Sequence, residues 1–492
     1  MLACRPAARA RLPYCEMSQR TPLAAPTADL VRRFADIVGR EHALTDPDRQ
    51  QPYLTEWRDL YRGRTPLVLR PGTTEEVSRI LALANEAGIG VVPQAGNTGL
   101  VGGQIPHETG TEIVISVTRL KRVRGIDPAG TYMTVEAGLT LAEAQAAAER
   151  AGRLLPLSMA SEGSACIGGN VATNAGGVAV LAFGTARNLV LGLEVVLADG
   201  RIWNGLRSLT KDNTGYDLKH LFIGSEGTLG VITAATLKLV APPREKATAL
   251  AALPGLDALL GLFRRAEDEA GPALTAFEFM SDRALAFVTK HVSARRPFAA
   301  DYPWYVLIEI SSAEEGAGAA ALERILAAAS ERGLAADAVI ARSLGQARDL
   351  WRLREAASEA QKSEGGSIKH DISVPVASIP EFLERADRAV ERLCPGARPV
   401  PFGHFGDGNV HYNVSQPQGM DEAGFLALWE PISRAVHHVA LELGGSISAE
   451  HGIGRMKRAE LPLVKSEVEM DLMRRIKAAL DPKGILNPGK LL

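Results

Sequence analysis

Two histidines, His404 and His411, frame a Gly-Asp-Gly-Asn turn within residues 401–413. Glycine, aspartate and asparagine tolerate positive φ, so this sequence favours a tight reversal between two strands. After the turn, apolar residues alternate with His411 and Asn413, which is the period-two pattern of a half-buried strand. We therefore predict a β-hairpin on which His411 and Asn413 share one face, with His404 returning opposite them.

An acidic residue and a third histidine follow in the segment Ser-Ala-Glu450-His451-Gly. Two imidazoles and one carboxylate suit a divalent metal at a catalytic site, because they leave coordination positions open for a substrate. On this interpretation His404, His411 and Glu450 hold the metal. The neighbouring His451 then acts as a base. The alternative is a glycine-rich hairpin that carries two structural histidines.

A cationic pair upstream of the hairpin could bind a carboxylate. A predicted helix over residues 349–362 places Arg354 and Ser358 one turn apart on the same face. Residues 367–374 alternate between polar and apolar types, and Lys369 lies on the polar face. Arginine offers such a ligand a planar fork, and lysine offers a point charge. The alternative is a solvated helix face and an exposed strand edge.

Three glycine-rich segments lie at residues 94–103, 161–177 and 224–230. In the first, closely spaced glycines let backbone N–H groups turn toward one point, as in a pyrophosphate cradle. The spacing matches neither the Rossmann fingerprint nor the P-loop. The second segment combines small residues with amide side chains, so a flat ligand can approach its backbone closely. Because each segment is expected to abut a strand, we predict one large dinucleotide lying across all of them. Independent glycine-rich surface loops are the alternative.

The first glycine-rich segment follows a β-α-β unit. Residues 65–70 are extended, and either Thr73 or Thr74 can cap the helix that follows them. Gly88 ends this helix, and a buried strand at residues 89–93 leads into the glycines. This order of elements is typical of an α/β subdomain.

Two consecutive prolines, Pro242 and Pro243, mark the end of the first domain. Beyond them helices alternate with strands, beginning with a predicted helix at residues 256–270. A final predicted helix at residues 467–480 ends in a tail rich in proline and glycine. The hairpin therefore belongs to a second domain of mixed composition.

Composition excludes several classes of protein. The chain has 492 residues, enough for several domains, and its net charge of −2 gives no reason to expect a nucleic acid partner. Its 4 cysteines form no Cys-x-x-Cys pair, which argues against a disulfide framework and a thiolate metal site. No apolar run reaches the length of a membrane span, so we expect no transmembrane segment.

The first twenty residues are rich in arginine and poor in acids. Such a leader is either a mitochondrial transit peptide or a tail from an upstream start codon, with Met17 as the native start. The abundance of alanine and arginine favours the second account, a bacterial source and a cytoplasmic protein. A eukaryotic source would place the protein in the mitochondrial matrix. We expect residues 1–28 to form a disordered leader.

Together, these motifs amount to a family resemblance. From residue 53 onward the chain resembles the FAD-dependent D-2-hydroxyacid dehydrogenases of the vanillyl-alcohol-oxidase/p-cresol-methylhydroxylase (PCMH) flavoprotein superfamily. The collinear segments that carry the resemblance are 93–103, 167–177, 211–217, 222–233, 403–413, 448–454 and 481–489. The resemblance implies an α+β fold with three parts. They are a two-subdomain PCMH-type FAD-binding domain at 29–241, an antiparallel-sheet substrate cap with the metal site at 242–453, and a C-terminal helical segment at 454–492 returning to the flavin.

The resemblance also assigns roles to residues that match the family's motifs. The expected ligands of a divalent metal, usually zinc with manganese next, are His404, His411 and Glu450. The expected general base is His451. The expected substrate-binding residues are Arg354, Ser358, Lys369 and Asn413, with Ser358 standing where close relatives carry a threonine. The expected FAD-binding residues are Pro93, Gly96, Asn97, Thr98, Gly99, Leu100, Gly103, Gly168, Gly169, Asn170, Thr173, Asn174, Gly176, Gly227, Gly230, Ile232 and Asn487. The first glycine segment has no histidine, so FAD should be bound non-covalently.

The implied reaction is oxidation of a D-2-hydroxyacid to the 2-oxoacid, by metal-assisted deprotonation and hydride transfer to flavin N5. D-2-hydroxyglutarate is the first expectation, and a contact between Lys369 and a distal carboxylate would favour such a diacid. D-lactate or glycolate is the alternative within the family, and a metal-dependent hydrolase is the alternative from another class. The resemblance further implies an external electron acceptor, either an electron-transfer flavoprotein or a quinone, and a homodimer is expected.

Overall fold

The computed structural model describes residues 23–292 and 295–492. Within these residues the chain forms sheets of four, five and eight strands. Of the leader expected at residues 1–28, residues 1–22 lie outside the described residues. Its last residues are ordered, contrary to expectation, because Ala24 forms a parallel bridge with Ile89 and Thr27 caps the first helix.

The four-stranded sheet has the order β1-β2-β4-β3, with β2 and β3 both parallel to β4. Its strands are β1 (Ala43–Leu44), β2 (Val68–Leu69), β3 (Val91–Gln94) and β4 (Ile113–Ser116). Its helices are α1 (Ala28–Val38), α2 (Pro47–Leu54) and α3 (Thr74–Ala87). The predicted β-α-β unit is confirmed: the Thr73 side chain accepts a hydrogen bond from the Glu76 amide, and Gly88 ends α3 with φ +68°.

The five-stranded sheet is antiparallel and has the order β5-β6-β9-β7-β8. Its strands are β5 (Val123–Ile126), β6 (Tyr132–Glu136), β7 (Val190–Val196), β8 (Ile202–Gly205) and β9 (Val231–Lys238). The helices between them are α4 (Leu141–Arg150), α5 (Ile167–Ala172), α6 (Val180–Phe183), α7 (Ala186–Leu189) and α8 (Lys219–Phe222). The third glycine-rich segment enters β9, as expected. The second departs from expectation, because its glycines Gly168 and Gly169 lie in the short helix α5 rather than beside a strand.

The eight-stranded antiparallel sheet begins just after Pro242 and Pro243. Its strands are β10 (Glu245–Leu253), β11 (Leu274–Ser281), β12 (Trp304–Ser312), β13 (Asp337–Ile340), β14 (Ser367–Ile368), β15 (Ile372–Ser373), β16 (Arg398–His404) and β17 (Asn409–Ser415). Its helices are α9 (Leu256–Ala270), α10 (Asp282–His291), α11 (Ala317–Glu331), α12 (Leu344–Glu355), α13 (Ala357–Ala360), α14 (Ile379–Leu393), α15 (Glu422–Leu426) and α16 (Trp429–Glu442). The helix predicted over 349–362 is wrong in its continuity, since it breaks at Ala356 between α12 and α13.

Strands β16 and β17 form the predicted hairpin. His411 pairs with Phe402, and Asn413 pairs with Val400. Because residues paired across a hairpin share a face, His404, His411 and Asn413 all project to the same side. Gly408 turns the chain with φ +84°, and a Cβ at this position would lie 2.2 Å from the Val374 carbonyl oxygen. The turn therefore requires glycine for both its backbone angle and its close approach.

The C-terminal helices are α17 (Leu461–Val464) and α18 (Glu467–Leu480). After α18 the chain returns to the first sheet, where Leu486 bridges Val91 of β3 in parallel. The Val91 amide donates to the Ile485 carbonyl, and the Asn487 amide donates to the Val91 carbonyl. Ile485 and Leu486 are completely buried in the core of that sheet. In the described part of the chain, no helix combines the length and the apolar character that a membrane crossing requires.

Candidate functional site

A cavity of about 900 Å³ is lined by all three glycine-rich segments, by the β16–β17 hairpin and by Glu450 and His451. Its volume lies near the upper end of the roughly 300–1,000 Å³ of ligand pockets. Residues far apart in sequence therefore face one space large enough for both a cofactor and a small substrate.

His404, His411 and Glu450 converge at one wall, where one ligand atom from each lies within 4.8 Å of the others. Nε2 of each histidine is 4.0 Å from a carboxylate oxygen of Glu450. Burial raises the pKa of Glu450 to about 6, even though His404 opposes this shift. A divalent cation would compensate for burying that charge, so both the donor set and its convergence fit a metal.

Glu278, which the sequence reasoning missed, supports this wall from behind. Its carboxylate lies 2.7 Å from His404 Nδ1 and 2.8 Å from Arg354 Nη2, and its side chain is 1% exposed. Burial alone disfavours the imidazolium of His404, but Glu278 outweighs burial and raises the pKa of His404 to about 9. The contact also directs Nε2, the other ring nitrogen, toward the cavity, as an outer-shell carboxylate does for a metal ligand.

Asp371, also missed, organises the loop that carries Glu450 and His451. Its Oδ2 accepts hydrogen bonds from the backbone amides of both residues at 2.9 Å. Its Oδ1 accepts from Asn409 Nδ2 at 2.9 Å. His451 Nδ1 lies 3.6 Å from Oδ2, and burial lowers the pKa of His451 to about 4. The ring of His451 is therefore neutral at pH 7 and faces a buried carboxylate.

Glu450 is held from the second glycine-rich segment as well. Its Oε1 accepts a hydrogen bond from the Gly177 amide at 2.7 Å. At the preceding position, a Cβ on Gly176 would lie 2.6 Å from the same oxygen. Gly176 therefore leaves room for the carboxylate, a role that a spacing of glycines in the sequence does not reveal.

The expected substrate-binding residues all line the cavity. Lys369 Nζ donates to the carbonyl and hydroxyl oxygens of Ser358 at 3.1 and 3.0 Å. The Arg354 guanidinium stacks on the ring of Phe402 at 5.0 Å. Arg354 Nε is buried and has no hydrogen-bond partner among the residues described. An unsatisfied donor of this kind fits an anionic ligand.

Asn413 is 3% exposed, and its Nδ2 donates to Gln361 Oε1 at 2.7 Å. Gln361 was not predicted as a site residue, because it lies just beyond α13 and reaches the hairpin only in the fold. Because the Gln361 carbonyl oxygen accepts from Asn413 Nδ2, the Asn413 side-chain oxygen is left for other contacts.

All but one of the residues expected to bind FAD line the cavity. Those that do are Pro93, Gly96, Asn97, Thr98, Gly99, Leu100, Gly103, Gly168, Gly169, Asn170, Thr173, Gly176, Gly227, Gly230, Ile232 and Asn487. The exception is Asn174, whose Oδ1 accepts hydrogen bonds from Thr185 Oγ1 and the Arg187 amide. Its side chain holds that turn and does not line the cavity.

The cavity wall fits a polar cofactor at several points. Asn170 Nδ2 and Asn487 Oδ1 are buried and lack hydrogen-bond partners within the described ranges. Asn487 has φ +44°, and its Nδ2 donates to the carbonyls of Gly103 and Glu226. A Cβ on Gly96 would lie 1.9 Å from the Ser164 carbonyl oxygen, so that glycine packs two of the glycine-rich segments together. These features suit a ligand that lies against backbone, as FAD would.

Glu226 is another residue that the sequence reasoning did not select. Its carboxylate accepts hydrogen bonds from the amides of Ile453 at 2.8 Å and Gly454 at 2.7 Å. Two signals in the sequence could have found these missed acids. Glu278 interrupts an apolar strand, and Glu226 interrupts a run of small residues. A buried acid in such a context requires a partner.

Comparisons with known proteins agree with this architecture. The profile of the family described as "FAD linked oxidases, C-terminal domain" matches residues 242–491. The profile described as "FAD binding domain" matches residues 65–205. Together they cover the glycine-rich segments, the eight-stranded sheet and the C-terminal helices.

Among curated proteins, the chain is similar to the mitochondrial D-2-hydroxyglutarate dehydrogenase of Rattus norvegicus. The two are 41% identical over 478 residues, which cover 96% of this chain and 86% of the rat protein. It is also 40% identical over 450 residues to D-2-hydroxyglutarate dehydrogenase of Xanthomonas citri pv. viticola, covering 91% of this chain and 93% of that protein. Relatives therefore include mitochondrial and bacterial enzymes.

A solved structure of p-cresol methylhydroxylase with substrate bound shares the fold, with a TM-score of 0.76. Sequence identity is 16%, and the match covers 94% of this chain and 96% of that one. The expected PCMH-type fold with an antiparallel-sheet cap is thus confirmed. The matches to flavin-binding profiles, together with relatives that are 40% and 41% identical over more than nine-tenths of the chain, establish the family. The chain belongs to the FAD-dependent D-2-hydroxyacid dehydrogenases.

Proposed function

We propose that this enzyme oxidises D-2-hydroxyglutarate to 2-oxoglutarate. The observation that carries the proposal is the convergence of three sets of residues on one cavity. A metal-type ligand set and a neutral histidine face the space that the buried Arg354 and the half-buried Lys369 also face. Relatives named D-2-hydroxyglutarate dehydrogenase, which align with more than nine-tenths of this chain, support the same substrate.

Asn170, Asn487 and the glycine-rich segments would hold FAD non-covalently, since the first segment offers no histidine for attachment. When bound, FAD supplies the acceptor for the hydride that leaves C2 of the substrate. The protein's contribution is to orient that carbon and to exclude water from the cavity.

His404, His411 and Glu450 would hold a divalent metal, with zinc first by ligand type and manganese second. When bound, the metal supplies Lewis-acid polarisation of the 2-hydroxyl group. Glu278 holds His404 in place, and the Gly177 amide holds Glu450. Both side chains are therefore positioned before the metal binds. Such preorganisation is what an open catalytic site requires.

His451 acts as the proton acceptor for the 2-hydroxyl group. The Asp371 carboxylate beside Nδ1 favours the tautomer with the proton on that nitrogen. Nε2 is then the free acceptor facing the substrate. The backbone hydrogen bonds to Asp371 fix the position of the ring relative to Glu450, one residue away.

Arg354 binds the carboxylate next to C2, and Lys369 with Ser358 binds the far carboxylate of the diacid. Asn413 orients the substrate between them. D-lactate and glycolate carry no second carboxylate, so they would leave the half-buried Lys369 without a counter-charge.

The hydrolase alternative has no support from the flavin-binding profiles. The reducing equivalents pass to an external acceptor, either an electron-transfer flavoprotein or a quinone.

A substrate panel with an artificial electron acceptor tests this function. Purified protein should be yellow and release FAD on heat denaturation. Turnover should be fastest with D-2-hydroxyglutarate, slower with D-malate and D-lactate, and undetectable with the L-enantiomers. A chelator should abolish turnover while the flavin stays bound. A preference for D-lactate over D-2-hydroxyglutarate would overturn the diacid assignment.

A further inference from the structure

Arg58 reaches the cavity from outside the regions in which substrate-binding residues were sought. It lies between α2 and β2, in the FAD-binding half of the chain, and lines the same cavity as Ser358 and Lys369. Its Nε is buried and has no hydrogen-bond partner in the described parts of the chain. A buried N–H donor without a partner is costly unless a ligand accepts its hydrogen bond.

The acids closest to Arg58 in sequence, Glu56 and Asp59, form no ion pair with its guanidinium within the described residues. Asp59 pairs with Arg62. Both carboxylate oxygens of the buried Glu56 accept backbone hydrogen bonds, from the amides of Arg58 at 2.7 Å and Leu60 at 2.5 Å. Glu56 therefore shapes the loop and acts on the guanidinium only through longer-range attraction. The fold thus presents the Arg58 side chain to the cavity from a loop that is fixed by its own hydrogen bonds.

A contact between the two domains places this loop at the substrate end of the cavity. The Lys362 ammonium lies 3.5 Å from the centre of the Trp57 ring, a close cation–π contact. Lys362 belongs to the turn Gln361–Glu364, directly after the helix that carries Ser358. Arg58, next to Trp57, lines the same cavity as Ser358, Lys369 and Asn413, and its charge acts on Lys369.

Lys369 likewise forms no ion pair with any acid in the described parts of the chain. Its hydrogen bonds go to the two uncharged oxygens of Ser358. Burial lowers the pKa of Lys369 to about 7, and the charges of Arg58 and Lys362 act in the same direction. The acids Glu355 and Glu162 also line the cavity, but Glu355 lies within the electrostatic reach of Arg354 and Glu278. Among the described residues, no acid forms an ion pair with Lys369 or Arg58, and Glu56 and Asp371 attract Arg58 only over a longer range.

We propose that Arg58 and Lys369 together bind the distal carboxylate of the substrate, so that Arg58 is a specificity-determining residue for dicarboxylic 2-hydroxyacids. This inference rests on the proposed function and deepens it. A carboxylate has two oxygens, and a guanidinium with an ammonium group can engage both at once. The arrangement would discriminate against monocarboxylates, because they would leave two desolvated cations unpaired.

The test is Arg58→Gln in the flavin-loaded enzyme, with Arg62→Gln as a matched control. Arg62 lies in the same loop, is exposed and pairs with Asp59, so its replacement removes the same charge away from the cavity. For Arg58→Gln we expect KM for D-2-hydroxyglutarate to rise about 10-fold to 100-fold, as loss of a charged hydrogen bond implies. The flavin content and the KM for D-lactate should each stay within about twofold. Arg58→Lys should restore part of the affinity for the diacid.

Binding without turnover separates this inference from the proposed function. Glutarate should raise the Tm of the wild-type holoenzyme, and Arg58→Gln should lose most of that shift while Arg62→Gln keeps it. If wild type binds glutarate in this way but oxidises no 2-hydroxyacid, the proposed function fails and the role of Arg58 stands. If Arg58→Gln weakens D-lactate as much as the diacid, releases flavin, or leaves the glutarate shift unchanged, the inference is wrong.

Discussion

Asp371 Oδ2 accepts a hydrogen bond from the backbone amide of His451 at 2.9 Å and lies 3.6 Å from Nδ1 of the same residue. One carboxylate therefore holds the main chain of the proposed base and lies beside its ring. Burial opposes ionisation of Asp371, but the charge of Lys457 and the hydrogen bond from the Glu450 amide contribute to holding its pKa well below its usual value. Asp371 is thus a charged positioning residue at the centre of the site.

Replacement of Asp371 by asparagine should remove its charge and keep its hydrogen bonds from the Glu450 and His451 amides. The asparagine oxygen can still accept from these two amides, but its NH2 group faces the donor Asn409 Nδ2 and loses that bond. The variant also no longer favours the Nδ1–H tautomer of His451. We expect kcat to fall about 10-fold to 100-fold, the range typical of outer-shell partners, with flavin content retained. Asp387→Asn is the control, because Asp387 binds the Tyr412 hydroxyl. Equal losses in the two variants would show a general effect of removing a buried carboxylate.

Gly176→Ala should disturb the metal site without touching a ligand. The new Cβ would lie 2.6 Å from Glu450 Oε1, the flexible end of that side chain, so the carboxylate must move while the fold adjusts. We expect metal content, measured by atomic emission, and activity to fall together, with Tm within a few degrees of wild type. Gly125→Ala adds a Cβ where nothing lies within 4 Å and should retain both. Full metal occupancy in Gly176→Ala would contradict the proposed role of Glu450.

Glu278→Gln should destabilise the fold, because it leaves Arg354 and His404 without their shared buried counter-charge. Removal of one partner from a buried ion pair costs about 3–5 kcal/mol, measured here as a loss of unfolding free energy in urea. Glu381→Gln breaks the exposed pair with Arg385 and should cost less than about 1 kcal/mol. Similar losses in both variants would mean that Glu278 is not essential to the cluster.

The pH dependence of KM should report Lys369. Burial lowers the pKa of this residue to about 7 from an ordinary value of 10.5. The free enzyme therefore loses the charge of Lys369 as pH rises through 7, and KM for D-2-hydroxyglutarate should increase between pH 7 and 9 while D-lactate is less affected. Lys369→Arg keeps its charge and should flatten the profile. An unchanged slope in that variant would assign the titration to another group.

The lowered pKa of Lys369 also makes the free energy of unfolding depend on pH in a defined direction. Between pH 7 and 10.5 the folded protein binds fewer protons at Lys369 than the unfolded chain does. The contribution of this group to the free energy of unfolding therefore rises with pH across that window. Urea unfolding of wild type and Lys369→Met at pH 7 and pH 9.5 measures it, and the difference between the two proteins should shift in favour of wild type at the higher pH.

Local signals predicted the elements whose ends are defined by their own residues. The helices expected at 256–270 and 467–480 have those bounds in the structure, and the second begins with a capping box between Ser466 and Glu469. The hairpin followed from its turn residues for the same reason. By contrast, no glycine or proline marks the break at Ala356, so that break depends on packing around the cavity and not on local sequence.

Contacts between residues that are distant along the chain could not be predicted from local sequence signals. Glu278 and Arg58 act on residues that are distant along the chain, and only the folded sheets and loops bring them to the cavity. Asn170 and Asn174 have the same side chain and lie one helical turn apart. The backbone after α5 turns with φ +52° at Asn174, so its amide is directed toward Thr185 and Arg187. Residue type alone does not distinguish these two orientations.

The strand contact between Val91 and Leu486 has a consequence for biosynthesis. The core of the first sheet takes Ile485 and Leu486 from a distant part of the chain, so it lacks two apolar side chains until those residues have been synthesised. At 5–20 residues per second, the nascent sheet waits on the order of 20–80 s for these residues. During that interval the apolar edge at β3 is open to chaperones. The FAD-binding half of this enzyme therefore completes its folding only after the cap has emerged from the ribosome.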